Sequence, residues 1–282
     1  MIGTYDIKVN GMKTRVAIRK GENSTKSVVL LHDGAWGSSA MLAWGKVMSY
    51  LPQDWQVVAP DMLGFGHSEK AYIHGASHYD YRIRHISDLM NVLSIDEPVH
   101  FVGTSFGGSL ILRAASKSAW NMASGISISG TGGPGRTPLS KEVLGNFKPG
   151  KGYIREVVKL IADTEEGLDD HIEERYQLSC DSGHYMSMMA PRIRHPEEHA
   201  ETDHYLRDLA NVSKGVLTFI GMENDPLVSQ EWYELLEKDL VNIQVHKMNG
   251  PHCPNLIYPE VLATQLVSIL NDHDRSVLKG DQ

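Results

Sequence analysis

Tyr5, Ile7 and Val9, then Val16 and Ile18, occupy alternate positions of residues 4–9 and 13–18, with Asn10-Gly11 between the two runs. Period-two alternation around Asn-Gly predicts an antiparallel hairpin. After a polar loop at 21–25 the pattern changes to the continuous apolar run Val28-Val29-Leu30-Leu31. Such a run predicts a strand covered on both faces, and so a largely parallel central sheet. Further strands are predicted at 56–60, 98–102, 126–128 and 216–220, and an alternating one runs through Val241, Ile243 and Val245. Helical spacing separates them. It is clearest over 79–93, where Ile83, Ile86, Leu89, Met90 and Leu93 share a face, and it is also expected at 39–51, after Ser105, at 231–240 and at 261–270. Strands alternating with helices define the α/β class. The tail from Asn271 is polar and is expected to fray.

One stretch interrupts the alternation. Residues 130–212 begin Gly-Thr-Gly-Gly-Pro-Gly and continue mostly helix-like, with Ile154, Val157, Val158 and Ile161 on one face and Met186, Met188 and Met189 following. This predicts a helical cap at 133–212 inserted between two parts of one core, 1–132 and 213–282. Helix-spaced methionine is most often core, but its adaptable side chain also suits a pocket wall, and Met186 is a candidate for that role.

Composition narrows the function classes. A chain of 282 residues that is 41% hydrophobic can bury a full core. The net charge of -8, without a basic stripe, argues against nucleic acid and anionic membranes as partners. Two cysteines, Cys180 and Cys253, are too few for a disulfide framework or a cysteine zinc site and suit a reducing cytosol. The opening residues have no basic-then-apolar leader pattern, and no apolar run reaches spanning length, so a cytoplasmic protein is expected. In that compartment the sequons at Asn23 and Asn211 carry no weight. Self-association is left open.

Val102-Gly103-Thr104-Ser105-Phe106-Gly107-Gly108 carries the chemistry. It is G-x-S-x-G between a predicted strand and a predicted helix, the setting in which a serine sits on a strained turn with its hydroxyl projecting. A serine hydroxyl is a weak nucleophile, so it needs a base within hydrogen-bond reach and a carboxylate to orient that base. Loops after later strands offer both: Asp225, with Glu223 as its rival, and His252. The order serine, acid, histidine is that of α/β hydrolases. Two backbone donors for an oxyanion would be Phe106, just after the serine, and Gly34, in the loop after the 28–31 strand.

Two other motifs are weaker. Gly130-x-Gly132-x-x-Gly135 matches a dinucleotide fingerprint, but Pro134 interrupts it where a helix should open. His195-Pro196-Glu197-Glu198-His199 matches a zinc arrangement but carries a proline and competes with a complete serine set. Neither a metal nor a cofactor is expected.

With these residues in place, the chain resembles the α/β-hydrolase superfamily over roughly residues 3–270. More narrowly it is similar to the carbon–carbon bond hydrolases that cleave meta-ring-fission products. The segment from His32-Asp33-Gly34-Ala35-Trp36-Gly37 through Trp44 lines up on their H-G-x-G-P-G loop, and Gly103 to Gly108 on their G-N-S-F-G-G. Ile128 to Gly135 and Glu174-Arg175-Tyr176 are similar too. The resemblance implies Ser105, Asp225 and His252 as triad, Gly34 and Phe106 as oxyanion hole, and a small carbonyl substrate cleaved through an acyl-enzyme without cofactor. Ester or lactone hydrolysis is the alternative activity, and a ligand receptor of this fold is the alternative class.

The departures from that pattern fall on pocket positions. Asp33, Trp36, Thr104, Met186 and Cys253 are the candidate substrate contacts. Asp33 and Thr104 replace a glycine and an asparagine, Ala43 stands where a second asparagine is common, and Asp181 aligns near a substrate-binding arginine. Carboxylates gained where donors are lost would weaken recognition of an anionic dienoate. Uncharged diketones or esters are therefore expected to be the better substrates.

Overall fold

Gly3–Val9 (β1) and Met12–Arg19 (β2) form the opening hairpin, and Asn10 and Gly11 both take the left-handed φ (50° and 81°) that its tight turn demands. This computed structural model of the chain describes residues 1–22, 24–75, 77–148, 150–193 and 205–280. The sequon at Asn23 and the motif His195 to His199 lie outside the described residues.

Among the described residues eight strands make one sheet in the order β1-β2-β4-β3-β5-β6-β7-β8. The later strands are Lys26–Leu31 (β3), Trp55–Pro60 (β4), Val99–Thr104 (β5), Met122–Ile128 (β6), Leu217–Met222 (β7) and Gln244–Met248 (β8). β2 meets β4 antiparallel, and the pairings from β4 through β8 are parallel. The apolar run in β3 is divided between the two faces. Val28 and Leu30 pack with Trp44 and Val47 of Ala40–Tyr50 (α1), whereas Val29 and Leu31 join Ile86 of Asp80–Val92 (α2) and Leu110 of Phe106–Ser116 (α3). Each such buried side chain contributes about 1.5–3 kcal/mol, which is why a continuous apolar strand calls for cover on both sides.

β3 and β5 are neighbours, yet β3 connects through α1 on one face and β5 through α3 on the other. Their loops therefore diverge, leaving a crevice at the carboxyl ends of the strands, where ligands of open α/β sheets bind.

Between β6 and β7 lie Pro138–Gly145 (α4), Lys151–Ala162 (α5), Asp169–Cys180 (α6), His184–Met189 (α7) and Tyr205–Leu209 (α8). Ile154, Val157, Val158 and Ile161 of α5 are fully buried, as their shared face predicts. Residues 132–135 form turns, with left-handed Gly132 and Gly133, and the next helix starts only at Pro138. The fingerprint glycines thus open no helix against which a pyrophosphate could lie.

Two expectations are corrected. The strand expected at 241–245 forms at Gln244–Met248 (β8), after Gln230–Lys238 (α9), because Asn242 ends a turn by donating Nδ2 to Leu209 O and Val212 O, both at 2.9 Å. Val241 is left 69% exposed. The tail does not fray at Asn271. After Pro254–Ile257 (α10), Pro259–Gly280 (α11) continues as helix, tied down by Lys26 Nζ, which reaches Asn271 Oδ1 at 3.0 Å and Asp274 at 2.7 Å. Cys180 and Cys253 are both free, one exposed and one buried. No helix among the described residues is long and apolar enough to cross a membrane.

Candidate active site

β5 ends at Thr104 and α3 begins at Phe106, so the whole change of direction falls on Ser105, held at φ 53° and ψ -111°. An L-residue occupies such a conformation only where its surroundings impose it. Here Ser105 N donates to Ile128 O at 2.7 Å, and Ser109 N donates to Ser105 O at 2.9 Å. The turn is too tight for side chains on either flank: a Cβ on Gly103 would lie 2.3 Å from Gly107 C, and one on Gly107 2.2 Å from Leu31 O. Both clashes are with backbone, which cannot step aside. Gly103→Ala should therefore cost at least about 2 kcal/mol, about 4–8 °C in Tm, a change read directly by thermal melting. A melting temperature equal to wild type would contradict this account of the turn.

His252 stands in the loop after β8, and its Nε2 is 2.8 Å from Ser105 Oγ. Its Nδ1 is 2.7 Å from Asp225 Oδ2, in the loop after β7. A carboxylate can only accept, so Nδ1 carries the proton and Nε2 keeps the lone pair that the serine hydroxyl faces. Asp225 is buried; desolvation raises its pKa, but the adjacent His252 and the Leu227 N–H, at 2.8 Å from Oδ1, lower it further, and the net shift is downward. The rival Glu223 is exposed, and its backbone N–H is bound to Met248 O.

Gly34 and Phe106 both line the cavity in front of Ser105. Among the described residues neither backbone N–H is taken by a protein acceptor. A Cβ on Gly34 would lie 2.7 Å from Phe106 Cβ, so glycine is required there by close approach, not by an unusual φ.

The cavity measures about 170 Å³ and mixes apolar walls, such as Phe65, Leu144, Met188 and Leu227, with polar groups. An apolar cavity of about 150 Å³ takes a benzene-sized guest, so this one suits a compact molecule. Of the pocket residues expected from sequence, Asp33 and Trp36 line it and three do not. Met186 points outward, 44% exposed, and Met188 takes the wall position. Thr104 is turned into the core, donating Oγ1 to Asn255 Oδ1 at 3.2 Å, while Asn255 Nδ2 donates to Ala43 O. Cys253 is fully buried behind His252, and burial raises its thiol well above the usual range, so it is held as an inert thiol. Arg136, Ser140, His78 and Tyr79 line the cavity without having been singled out by any motif.

The charges are arranged otherwise than the sequence suggests. Asp33 is 1% exposed and receives a two-pronged contact from Arg175 of α6, Nη1 to Oδ1 at 3.2 Å and Nη2 to Oδ2 at 3.1 Å. Burial opposes its ionisation, but Arg175 more than offsets this and holds the carboxyl far below the usual range. Asp181 is half-exposed, 3.9 Å from Lys70 Nζ, and is absent from the described cavity wall. Among the described residues, one group could hold a metal: His100, His273 and Asp274, away from this cavity, where Lys26 already sets a positive charge on Asp274.

A serine on a strained strand-to-helix turn, a histidine bonded to it and to a buried carboxylate, and a switch-point crevice together define a hydrolase of the α/β type. The chain belongs to the alpha/beta hydrolase family, which matches residues 28–265. It is 30% identical over 189 residues to a 2-hydroxy-6-oxo-2,4-heptadienoate hydrolase of Pseudomonas putida, an alignment spanning 64% of this chain and 67% of that one. Its fold is similar to that of a 2-hydroxy-6-oxo-6-phenylhexa-2,4-dienoate hydrolase from Rhodococcus sp., with a TM-score of 0.77 and 21% identity over 96% of this chain and 99% of that one. It is also similar to a carboxylesterase from Bacillus subtilis, with a TM-score of 0.74 and 17% identity over 96% of this chain and 92% of that one. At these identities the structural likeness is one of fold.

Proposed function

We propose that this hydrolase cleaves a carbon–carbon bond next to a ketone in a small, carboxylate-bearing ring-fission product, with Ser105 as nucleophile. The observation that carries the reading is the closed chain Ser105 Oγ, His252 Nε2, His252 Nδ1, Asp225 Oδ2, at 2.8 and 2.7 Å, opening on a cavity of about 170 Å³. Ser105 Oγ attacks the ketone carbon while Nε2 takes its proton. The new oxyanion is received by the N–H groups of Gly34 and Phe106. Cleavage needs an electron sink, so the dienol first shifts its 2-hydroxyl proton to the carbon next to the ketone. The carbon–carbon bond then breaks on collapse, its electron pair passes through the resulting enone onto the 2-oxygen, and that oxygen takes the proton from the imidazolium. Water, deprotonated by His252, then releases the acyl group and restores Ser105. The helices between β6 and β7 act as a cap over this site.

The expectation that anionic substrates are disfavoured is revised here. Arg175 neutralises Asp33, Asp181 contributes nothing to the described wall, and Arg136, held by Ser140 Oγ and Ser140 O at 3.0 and 2.8 Å, is among the residues that line it. The names of the similar hydrolases, which act on dienoates, support the same choice. Side-by-side kcat/KM values for 2-hydroxy-6-oxohepta-2,4-dienoate, an uncharged 1,3-diketone and an ester of equal size test it. The dienoate should lead by more than about tenfold, roughly 1.4 kcal/mol of transition-state preference. If the ester leads by that margin, the protein is a carboxylesterase.

A further inference from the structure

The N–H of Gly34 belongs to the peptide joining Asp33 to Gly34, and the orientation of that peptide is held from two sides. On the backbone side, Met62 N donates to His32 Nε2 at 3.0 Å, so the ring proton is on Nδ1, which donates to Asp33 O at 2.6 Å. A trans peptide points its C=O and N–H in opposite directions, so fixing the carbonyl aims the Gly34 N–H. On the side-chain side, Asp33 Oδ1 accepts from Ala35 N and Oδ2 from Ser38 Oγ, both at 2.9 Å, closing the loop around Gly34. The fork of Arg175, 142 residues away in sequence, grips both oxygens of the same carboxylate.

Arg175 also meets the far end of the loop: a Cβ on Gly37 would lie 1.9 Å from Arg175 O. Next to it, Gly37 N donates to His184 Nε2 at 3.2 Å, and His184 Nδ1 donates to Gly64 O at 2.7 Å. Two helices inserted between β6 and β7 thus hold one catalytic loop. Arg175 is itself fully buried and does not line the described cavity, so it is placed to act on the loop and not on substrate.

We propose that Arg175 is a positioning residue: through its fork on Asp33, α6 sets the angle at which the Gly34 N–H meets the developing oxyanion. The proposal rests on the serine-hydrolase reading above. An oxyanion donor acts on the transition state and hardly on bound substrate, so its misalignment lowers kcat with little change in KM. Deleting such a donor costs about 10²–10³ in kcat, and displacing it somewhat less, so about 10- to 100-fold is expected.

The experiment compares wild type, Arg175→Lys, Arg175→Met and Asp33→Asn, with active sites counted by phosphonate labelling so that only folded enzyme enters kcat. Arg175→Lys keeps the charge but loses the fork, and it keeps the test open should the methionine variant fail to fold. The expected result is a kcat per labelled site about 10-fold lower in Arg175→Lys and lower still in the other two. KM should stay within about twofold, and the inhibition constant of a boronic acid, which places an oxygen in the oxyanion hole, should rise in parallel. A kcat per site equal to wild type in Arg175→Lys, or a loss confined to KM, would overturn the proposal. Wild type that neither labels at Ser105 nor turns over would instead refute the serine-hydrolase reading, and the proposal with it.

Discussion

Ser105→Ala is expected to lower kcat by about 10⁴- to 10⁶-fold and to abolish covalent labelling by an organophosphonate, leaving substrate binding nearly unchanged. The magnitude follows from how such residues act as a unit: without the nucleophile, His252 has nothing to deprotonate, and only the oxyanion donors and the cavity remain to assist water. Removing the hydroxyl disturbs little else, because the turn is held by main-chain bonds from Ser105 N and to Ser105 O. The variant should therefore bind a dienoate, giving a difference spectrum without decay. The measurements are single-turnover kinetics and intact-protein mass. Turnover within about tenfold of wild type would remove Ser105 from the mechanism.

A second large effect is expected on acidification. His184 and His85 are buried, and burial pushes each imidazole down from 6.5 to about 4. In the unfolded chain both would take up protons around pH 6.5, whereas the folded protein resists until about pH 4. Between those values the unfolded state binds more protons, so stability falls as pH falls across that window, and the loss levels off below it. Each of the two histidines contributes on the order of a few kcal/mol to that loss. Below the window Asp33 and Asp225 take over. Their folded-state values are held low, so the stability they confer above the ordinary carboxylate range is lost as pH falls through them. Thermal melts at closely spaced pH should show Tm declining steadily from about pH 6.5 to 4, with a shallower slope in His184→Gln. A Tm that is level over that range would refute the burial argument.

The parts of the site legible in the sequence are those that local backbone geometry dictates. A glycine two residues to either side of a serine, between an apolar strand and a helix, has a local cause, and Gly103 and Gly107 meet it. Asp225 and His252 could be chosen because each follows a late strand, and strand ends share one edge of a parallel sheet. What stayed hidden depends on pairings between distant residues. Asp33 reads in sequence as an unwelcome carboxylate, since nothing near it announces Arg175. Thr104 reads as a pocket residue until Asn255, buried from another element, is seen to take its hydroxyl. Met186 and Met188 are alike as residue types, and only the rotation of α7 decides which one faces inward. The same limit misplaced β8 and shortened α11, whose extra turns depend on Lys26 in β3.

The Asp33–Arg175 pair also bears on modularity. Enzymes with an inserted helical segment invite chimeras, in which one relative's insertion is grafted onto another's sheet to exchange specificity. In this protein such a graft would carry away the guanidinium and strand Asp33, 1% exposed, without its countercharge. Breaking one half of a buried pair costs about 3–5 kcal/mol, whereas replacing both halves together can be nearly neutral. The helices between β6 and β7 and the loop after β3 are therefore energetically tied, and a productive recombinant has to exchange residue 33 along with the helix that answers it.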